Sequence, residues 1–347
     1  MTLTQTQILQ PLRFNSLVLE ITTRCNASCA ICYQGASPHG SNKWGVKEID
    51  IKVLKKVIRD AIKIPNLCNR LHISGGEAFL KTRKVLDIIK LGRDVGYKEI
   101  TLTTNASWGK TPQKASSICK KLEVLGVTDI EISWDYWHMR YINRDNVVNV
   151  LYAAKQQSIK TTLRILTSKS HSVSEALHLL GDGCMWANTI MWGKVFRSGR
   201  AAECIEQNEF YSESVERGKG CHNCLNLTVN AKGDVFPCCA GFDQTDYANL
   251  GNIEHENIID IASRMSGNLW LRQLVFDGVI SMEEVLIDKG YTNINLVNNG
   301  MCSRCWSIFK EKEATDIIKE YGRVRAGKIM LKIINEVRDS YNEKHSR

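Results

Sequence analysis

No run of apolar residues in this chain approaches the roughly 18 that a membrane span requires. The opening residues, MTLTQTQILQPLRF, lack the basic start and apolar core of a secretory signal. There are no internal repeats and no low-complexity segment. No RNA-binding module is recognisable, and the aromatic residues, at 7%, are not interleaved with a basic run. A formal charge of +9 over 347 residues permits an acidic partner without demanding one. With 43% hydrophobic and 24% charged residues, the composition is that of an ordinary globular protein. Disordered, collagen-like and membrane-spanning classes are therefore excluded, and a cytoplasmic protein with no membrane and no nucleic-acid partner is expected. A non-enzymatic iron–sulfur or zinc protein bound to nucleic acid is the most remote alternative.

What is plentiful is cysteine, with 13 residues. A chain of this length does not need disulfide staples, and nothing in it directs export, so many thiols point to metal ligation or thiol chemistry. They clump at 25, 29 and 32, at 221, 224, 238 and 239, and at 302 and 305. Cys68, Cys119, Cys184 and Cys204 stand apart, and Cys119, among apolar neighbours on a helix, reads as core.

Between residues 16 and 195, apolar runs of strand length alternate with helical patterns. Strands are expected at 17–21, 70–74, 99–105, 129–135, 160–166 and 189–195. Between them lie helices such as 50–64, where Ile51, Leu54, Val57, Ile58 and Ile62 form one stripe. Thr111-Pro112 is an N-cap and first-turn pair for the helix that ends near Gly126. Six strand–helix units imply parallel strands with helices outside, as a partial barrel or an open sheet. In both, chemistry sits at the C-terminal ends of the strands. After Gly199 the texture changes. Residues 225–237 read as a hairpin turning at Ala231-Lys232-Gly233-Asp234, a helix follows near 257–265, and the basic tail from about 311 reads as a pair of amphipathic helices.

Just past the first strand lies TRCNASCAICY, which is Cys25-x3-Cys29-x2-Cys32. Three thiolates on one short loop can hold three irons of a 4Fe–4S cubane and leave the fourth open. The bland alternatives are coincidence and zinc, and structural zinc normally takes four ligands. The loop, followed by the aromatic Tyr33, resembles the signature of the radical SAM superfamily. That resemblance implies a partial (β/α)6 barrel whose unique iron chelates S-adenosylmethionine (SAM), and reductive cleavage to a 5′-deoxyadenosyl radical. The second strand ends in Ser74-Gly75-Gly76-Glu77. By resemblance Gly75, Gly76 and Glu77 form the motif that binds the methionine amino group. Asn105, Ser133 and Asp135 fall at ribose-contacting positions, and Arg164 is placed to reach the SAM carboxylate or to be an ordinary snorkelling arginine.

The remaining clumps, GCHNCLNLTVNAKGDVFPCCAGF and GMCSRCW, carry Cys-x2-Cys pairs that on spacing alone invite a zinc ribbon. They also resemble the shortened SPASM domain called twitch. The resemblance implies Cys221, Cys238, Cys302 and Cys305 as ligands of one auxiliary 4Fe–4S cluster, with Cys224 an alternative to Cys221. The α/β architecture expected is a barrel over 1–200, a twitch domain of hairpin and helices over 201–310, and a C-terminal helical extension over 311–347.

The motifs taken together look most like radical SAM peptide epimerases, which convert L-residues of ribosomal peptides to D-residues. Cys239 adjoins Cys238, and neighbouring side chains on a strand point to opposite faces. With Cys238 at the cluster, Cys239 would face the barrel mouth and return hydrogen to a flattened Cα radical. A buried structural thiol, or a cluster ligand, is the alternative for Cys239. The usual acidic residue of that subgroup is missing, because the hairpin strand reads Leu225-Asn226-Leu227. Other endings on the same barrel are a thioether or carbon–carbon crosslink in a peptide, or oxidation of a small molecule by a twitch-type dehydrogenase. A flavodoxin or ferredoxin is implied as electron donor. Trp134, Tyr136, Trp137 and His138 read as cavity wall or barrel-rim packing, with a proton-carrying role the alternative to a structural one for His138, and Arg197 and Arg200 as a solvated linker or a carboxylate contact.

Overall fold

Apolar residues at every second position give the strands one face that must be covered, and amphipathic helices supply the cover. In the computed structural model, residues 10–221, 225–238, 242, 245–293 and 299–345 are described, 339–345 as backbone. Cys224 and Cys239 lie outside the described residues. The strands are β1 (Ser16–Glu20), β2 (Arg70–Ser74), β3 (Glu99–Thr104), β4 (Asp129–Ser133), β5 (Lys160–Thr167), β6 (Thr189–Lys194), β7 (Asn226–Val229) and β8 (Val235–Phe236). They form one sheet in the order β6-β5-β4-β3-β2-β1-β7-β8. Strands β1 to β6 are parallel to their neighbours. This is the mixed α/β architecture expected, a parallel partial barrel with helices outside.

Register sets the two faces. Leu17 pairs with Leu71, Leu71 with Ile100, Leu102 with Ile130 and Ile132 with Leu163. These residues are fully buried beneath the outer helices, each worth about 2 kcal/mol of transfer free energy. The helix Ile51–Ala61 contributes Leu54, Val57, Ile58 and Ala61 to that layer and is capped by the Asp50 carboxylate on the Lys52 amide. Thr111 and Pro112 begin the helix Pro112–Val124 as expected. The opposite face is polar. Glu20, His72, Thr101, Thr103, Glu131, Ser133 and Arg164 lie on it in register.

The hairpin after residue 225 does not stand apart from this sheet. Its first strand, β7, pairs parallel with β1, Leu17 opposite Leu227 and Leu19 opposite Val229, and β8 closes back antiparallel. Beyond it, Ile258–Gly267 packs on the helix Ile51–Ala61, while Leu269–Phe276, Val279–Asp288 and Gly300–Phe309 pack on one another and on the C-terminal helix, over a core where Phe309 meets Phe242 at 4.8 Å and Trp270 at 5.0 Å between ring centroids. The tail corrects the expected helix pair. It is one continuous helix, Lys312–His345. Gly322 lets it run close to the backbone of Trp270, where an added Cβ would lie 3.3 Å from the Trp270 nitrogen. No helix among the described residues is long and apolar enough to cross a membrane.

Candidate active site

The cysteine loop leaves the C-terminal end of β1, where parallel sheets place their chemistry. Its backbone is laced to itself. The Cys25 amide donates to Ser37 O at 2.9 Å, Cys32 to Cys29 O at 3.1 Å and Gly35 to Cys32 O at 3.1 Å. Arg200 spans it from outside, its guanidinium donating to Cys29 O and Ala36 O at 2.9 Å each and also to Gly35 O. The Arg200 amide adds a bond to Cys32 O at 3.1 Å. This role was not legible in the sequence, where Arg200 is one arginine in a linker; only the structure shows three carbonyls turned toward it.

Gly75 and Gly76 sit at the end of β2. Sequence reasoning gives them to a ligand, but their nearest neighbours are backbone of the strand end and cysteine loop. A Cβ on Gly76 would lie 2.2 Å from Arg24 O, and Gly75 has φ +137° with Thr22 O 2.9 Å from its Cβ position. The Gly76 amide donates to Thr22 O at 2.7 Å and the Glu77 amide to Arg24 O at 2.9 Å. The two loops are thus one unit.

Glu77 is buried, and its carboxylate is engaged by protein. It accepts from the Phe79 amide at 3.0 Å, from Thr104 Oγ1 at 2.9 and 3.0 Å, and from the Asn105 amide at 2.8 Å. Burial pushes its pKa up, against those hydrogen bonds. Asn105 points back at the cysteine loop, its side-chain nitrogen 3.6 Å from Cys25 Sγ and 3.0 Å from Asn26 Oδ1. Asp135 caps the short helix Tyr136–Met139 and accepts from the amides of Trp137 and Leu166 at 3.1 and 3.2 Å. It also meets His138 Nδ1 at 2.8 Å. His138 in turn reaches the Cys29 thiol. Burial works against the charged imidazole, but Asp135 and Cys29 together raise its pKa well above the usual value. This contact places His138 at the site rather than merely in rim packing. Ser133 and Arg164 are paired across β4 and β5, with Glu131 on the same face. Burial raises the Glu131 pKa while Arg164 opposes the rise.

Cys25 and Cys29 are buried and Cys32 half-buried. Burial drives the Cys25 thiol strongly upward, and Glu77, Cys32 and Cys29 add to the rise. Buried thiols crowded in this way fit a cationic cluster, which deprotonates them outright. A second set forms beyond β8. Cys221, Cys238, Cys302 and Cys305 lie close together: burial and then Cys238 and Cys221 raise the Cys302 pKa, and burial and then Cys221, Cys302 and Cys238 raise that of Cys305. Cys302 and Cys305 share one face of the helix Gly300–Phe309. Among the described residues no three His, Cys, Asp or Glu side chains converge on a single ion. A cubane does not ask them to, because each thiolate binds its own iron.

Sheet, cysteine loop and glycine loop together have the build of a radical SAM protein, and the radical SAM superfamily profile matches residues 19–181. The fold implies SAM and one 4Fe–4S cluster, and the Cys25, Cys29, Cys32 loop is the donor set that fits that cluster. Among particular relatives, the chain is 21% identical to YydG, a protein named for peptide biosynthesis in Bacillus subtilis (strain 168). That likeness runs over 309 residues, 87% of this chain and 94% of YydG. The fold is shared with anSMEcpe, solved with bound AdoMet and the Cp18Cys peptide, at a TM-score of 0.55 and 13% identity, over 92% of this chain and 99% of that one. It is also shared with SuiB of Streptococcus suis, solved with its precursor peptide SuiA, at a TM-score of 0.53 and 15% identity. There 73% of this chain and 65% of SuiB are covered.

Proposed function

We propose that the chain is a peptide-modifying radical SAM enzyme that inverts the Cα centre of a residue in a ribosomal peptide, with Cys239 as hydrogen-atom donor. The observation that carries the peptide reading is the likeness to YydG, which extends over 94% of that protein and so beyond the barrel alone. When SAM and the reduced cluster are bound, the site supplies a 5′-deoxyadenosyl radical able to remove Hα. The chain's own residues do the rest. Gly75, Gly76 and Glu77 receive the SAM amino group, Arg164 its carboxylate, and Asn105, Ser133 and Asp135 border the ribose. The substrate lies against the polar inner face of the sheet, between the loop after β1 and the cysteines that follow β8. Cys221, Cys238, Cys302 and Cys305 hold an auxiliary 4Fe–4S cluster beside it, in a twitch domain spanning residues 201–310. Cys239, next in sequence to Cys238, gives its hydrogen to the planar Cα from the face opposite abstraction. A flavodoxin- or ferredoxin-type donor supplies the electrons for SAM cleavage and for restoring the thiol, a solvent proton completing the latter.

Anaerobic turnover in deuterated water tests this, with reconstituted enzyme, SAM and a candidate peptide from a neighbouring small reading frame. Wild type is expected to add about one mass unit per modified site and give a D-residue on chiral hydrolysis. Cys239→Ala is expected to form deoxyadenosine with little epimer. Loss of two hydrogens, with Cys239→Ala still competent, would replace epimerisation by crosslinking or dehydrogenation.

A further inference from the structure

Among the cluster-loop contacts, one side chain joins the glycine loop to a cluster cysteine, and sequence reasoning gives it a different partner. We infer that Asn105 is a positioning residue of the radical SAM cluster: its amide donates an N–H···S hydrogen bond to Cys25, and Glu77 holds it in place. The inference rests on the radical SAM reading and not on the epimerase reading.

The geometry carries it. Asn105 is 6% exposed. Its Oδ1 accepts the Ser107 amide at 3.0 Å, which fixes the orientation of the side-chain amide, since an NH2 cannot accept that bond. The nitrogen therefore faces the cysteine loop, with Asn26 Oδ1 at 3.0 Å and Cys25 Sγ at 3.6 Å. Both amide hydrogens have a partner. The backbone beneath is equally determined. The Asn105 amide donates to Glu77 Oε2 at 2.8 Å. Thr104 Oγ1 donates to the same carboxylate and accepts from the Ala106 amide and Trp108 Nε1, both at 3.1 Å. Ala106 sits at φ +61°, a left-handed conformation that an alanine adopts only when its surroundings impose it. The chain turns sharply after β3, and the turn presents Asn105 to Cys25.

The Cys25 sulfur also accepts the Ala27 amide at 3.4 Å. Hydrogen bonds to a cluster thiolate favour the more negative, reduced state and raise the reduction potential. Asn105 thus makes electron entry easier, and it ties that effect to Glu77, a residue of the motif expected to hold SAM. Contact with ribose, the role expected from sequence, is a separate matter and not needed for this one.

The test is an EPR-monitored redox titration of the reconstituted holoprotein. The radical SAM cluster is identified as the one whose signal changes when SAM is added. Asn105→Ala is expected to shift its midpoint to more negative potential, so that at the wild-type midpoint the reduced fraction falls at least threefold, with iron content retained. Asn105→Asp, which cannot donate, is expected to fall further. An unshifted midpoint in Asn105→Ala with full iron content would overturn the inference. A second measurement needs no variant. With 15N only on asparagine side-chain amides, pulsed EPR of the reduced wild-type cluster is expected to detect 15N coupling, and its absence would overturn the inference equally.

Discussion

His72 shows what a single residue on the inner face does to stability. Its ring is bonded at both nitrogens, Nδ1 to Thr101 Oγ1 at 2.7 Å and Nε2 to Thr103 Oγ1 at 3.1 Å. Burial, with Arg70 adding, lowers its pKa from 6.5 to about 4. The native state therefore resists a proton that the unfolded chain accepts. Stability from this residue is complete above pH 6.5 and is lost as pH falls from there through 4, by on the order of 3 kcal/mol. His72→Gln is expected to flatten the decline in Tm between pH 7 and 5, and an unchanged slope would place the acid sensitivity elsewhere. At this scale the sequence was legible as to which positions matter and less so as to why. Glu77 and Asp135 stand at strand ends, where polar residues are common, but their carboxylates turn onto the Asn105 and Leu166 amides. Those two bonds join residues 28 and 31 apart in sequence, which no local pattern encodes.

Elements were read best where one period dominates. The strand at residues 70–74 has the bounds expected, and its neighbours differ by one or two residues, because alternation and helical stripes are local signals. Loops are different, since they are fixed by partners across the fold. Arg200 braces the cysteine loop through a planar fork that a lysine does not possess. Arg200→Lys is expected to cost the loop roughly 2 kcal/mol, which is about a 30-fold rise in opening. Hydrogen exchange at the Cys32 and Gly35 amides reads that rise directly, and iron is expected to be lost faster to a chelator. Exchange at the wild-type rate would show that the brace is idle. The single tail helix runs through both of its glycines, and Gly322 lies against Trp270, a contact made across the fold.

At the scale of the molecule, the hairpin belongs to the barrel sheet as much as to the helices around the second cysteine set. Leu17 and Leu19 face Leu227 and Val229 across β1 and β7. A chain cut after residue 200 leaves that edge unpaired and its apolar neighbours bare. Such a fragment is expected to aggregate or to lack a cooperative melt, and a soluble monomer melting like the intact protein would show that the barrel is self-sufficient. The pairing also imposes a wait during synthesis. Ser16 and Asn226, bonded side chain to side chain at 2.8 Å, lie 210 residues apart. At about 5–20 residues per second, the first strand spends roughly 10–40 s on the ribosome before its partner exists. For that interval an apolar edge is held open in the cell, and the protein's yield depends on what guards it.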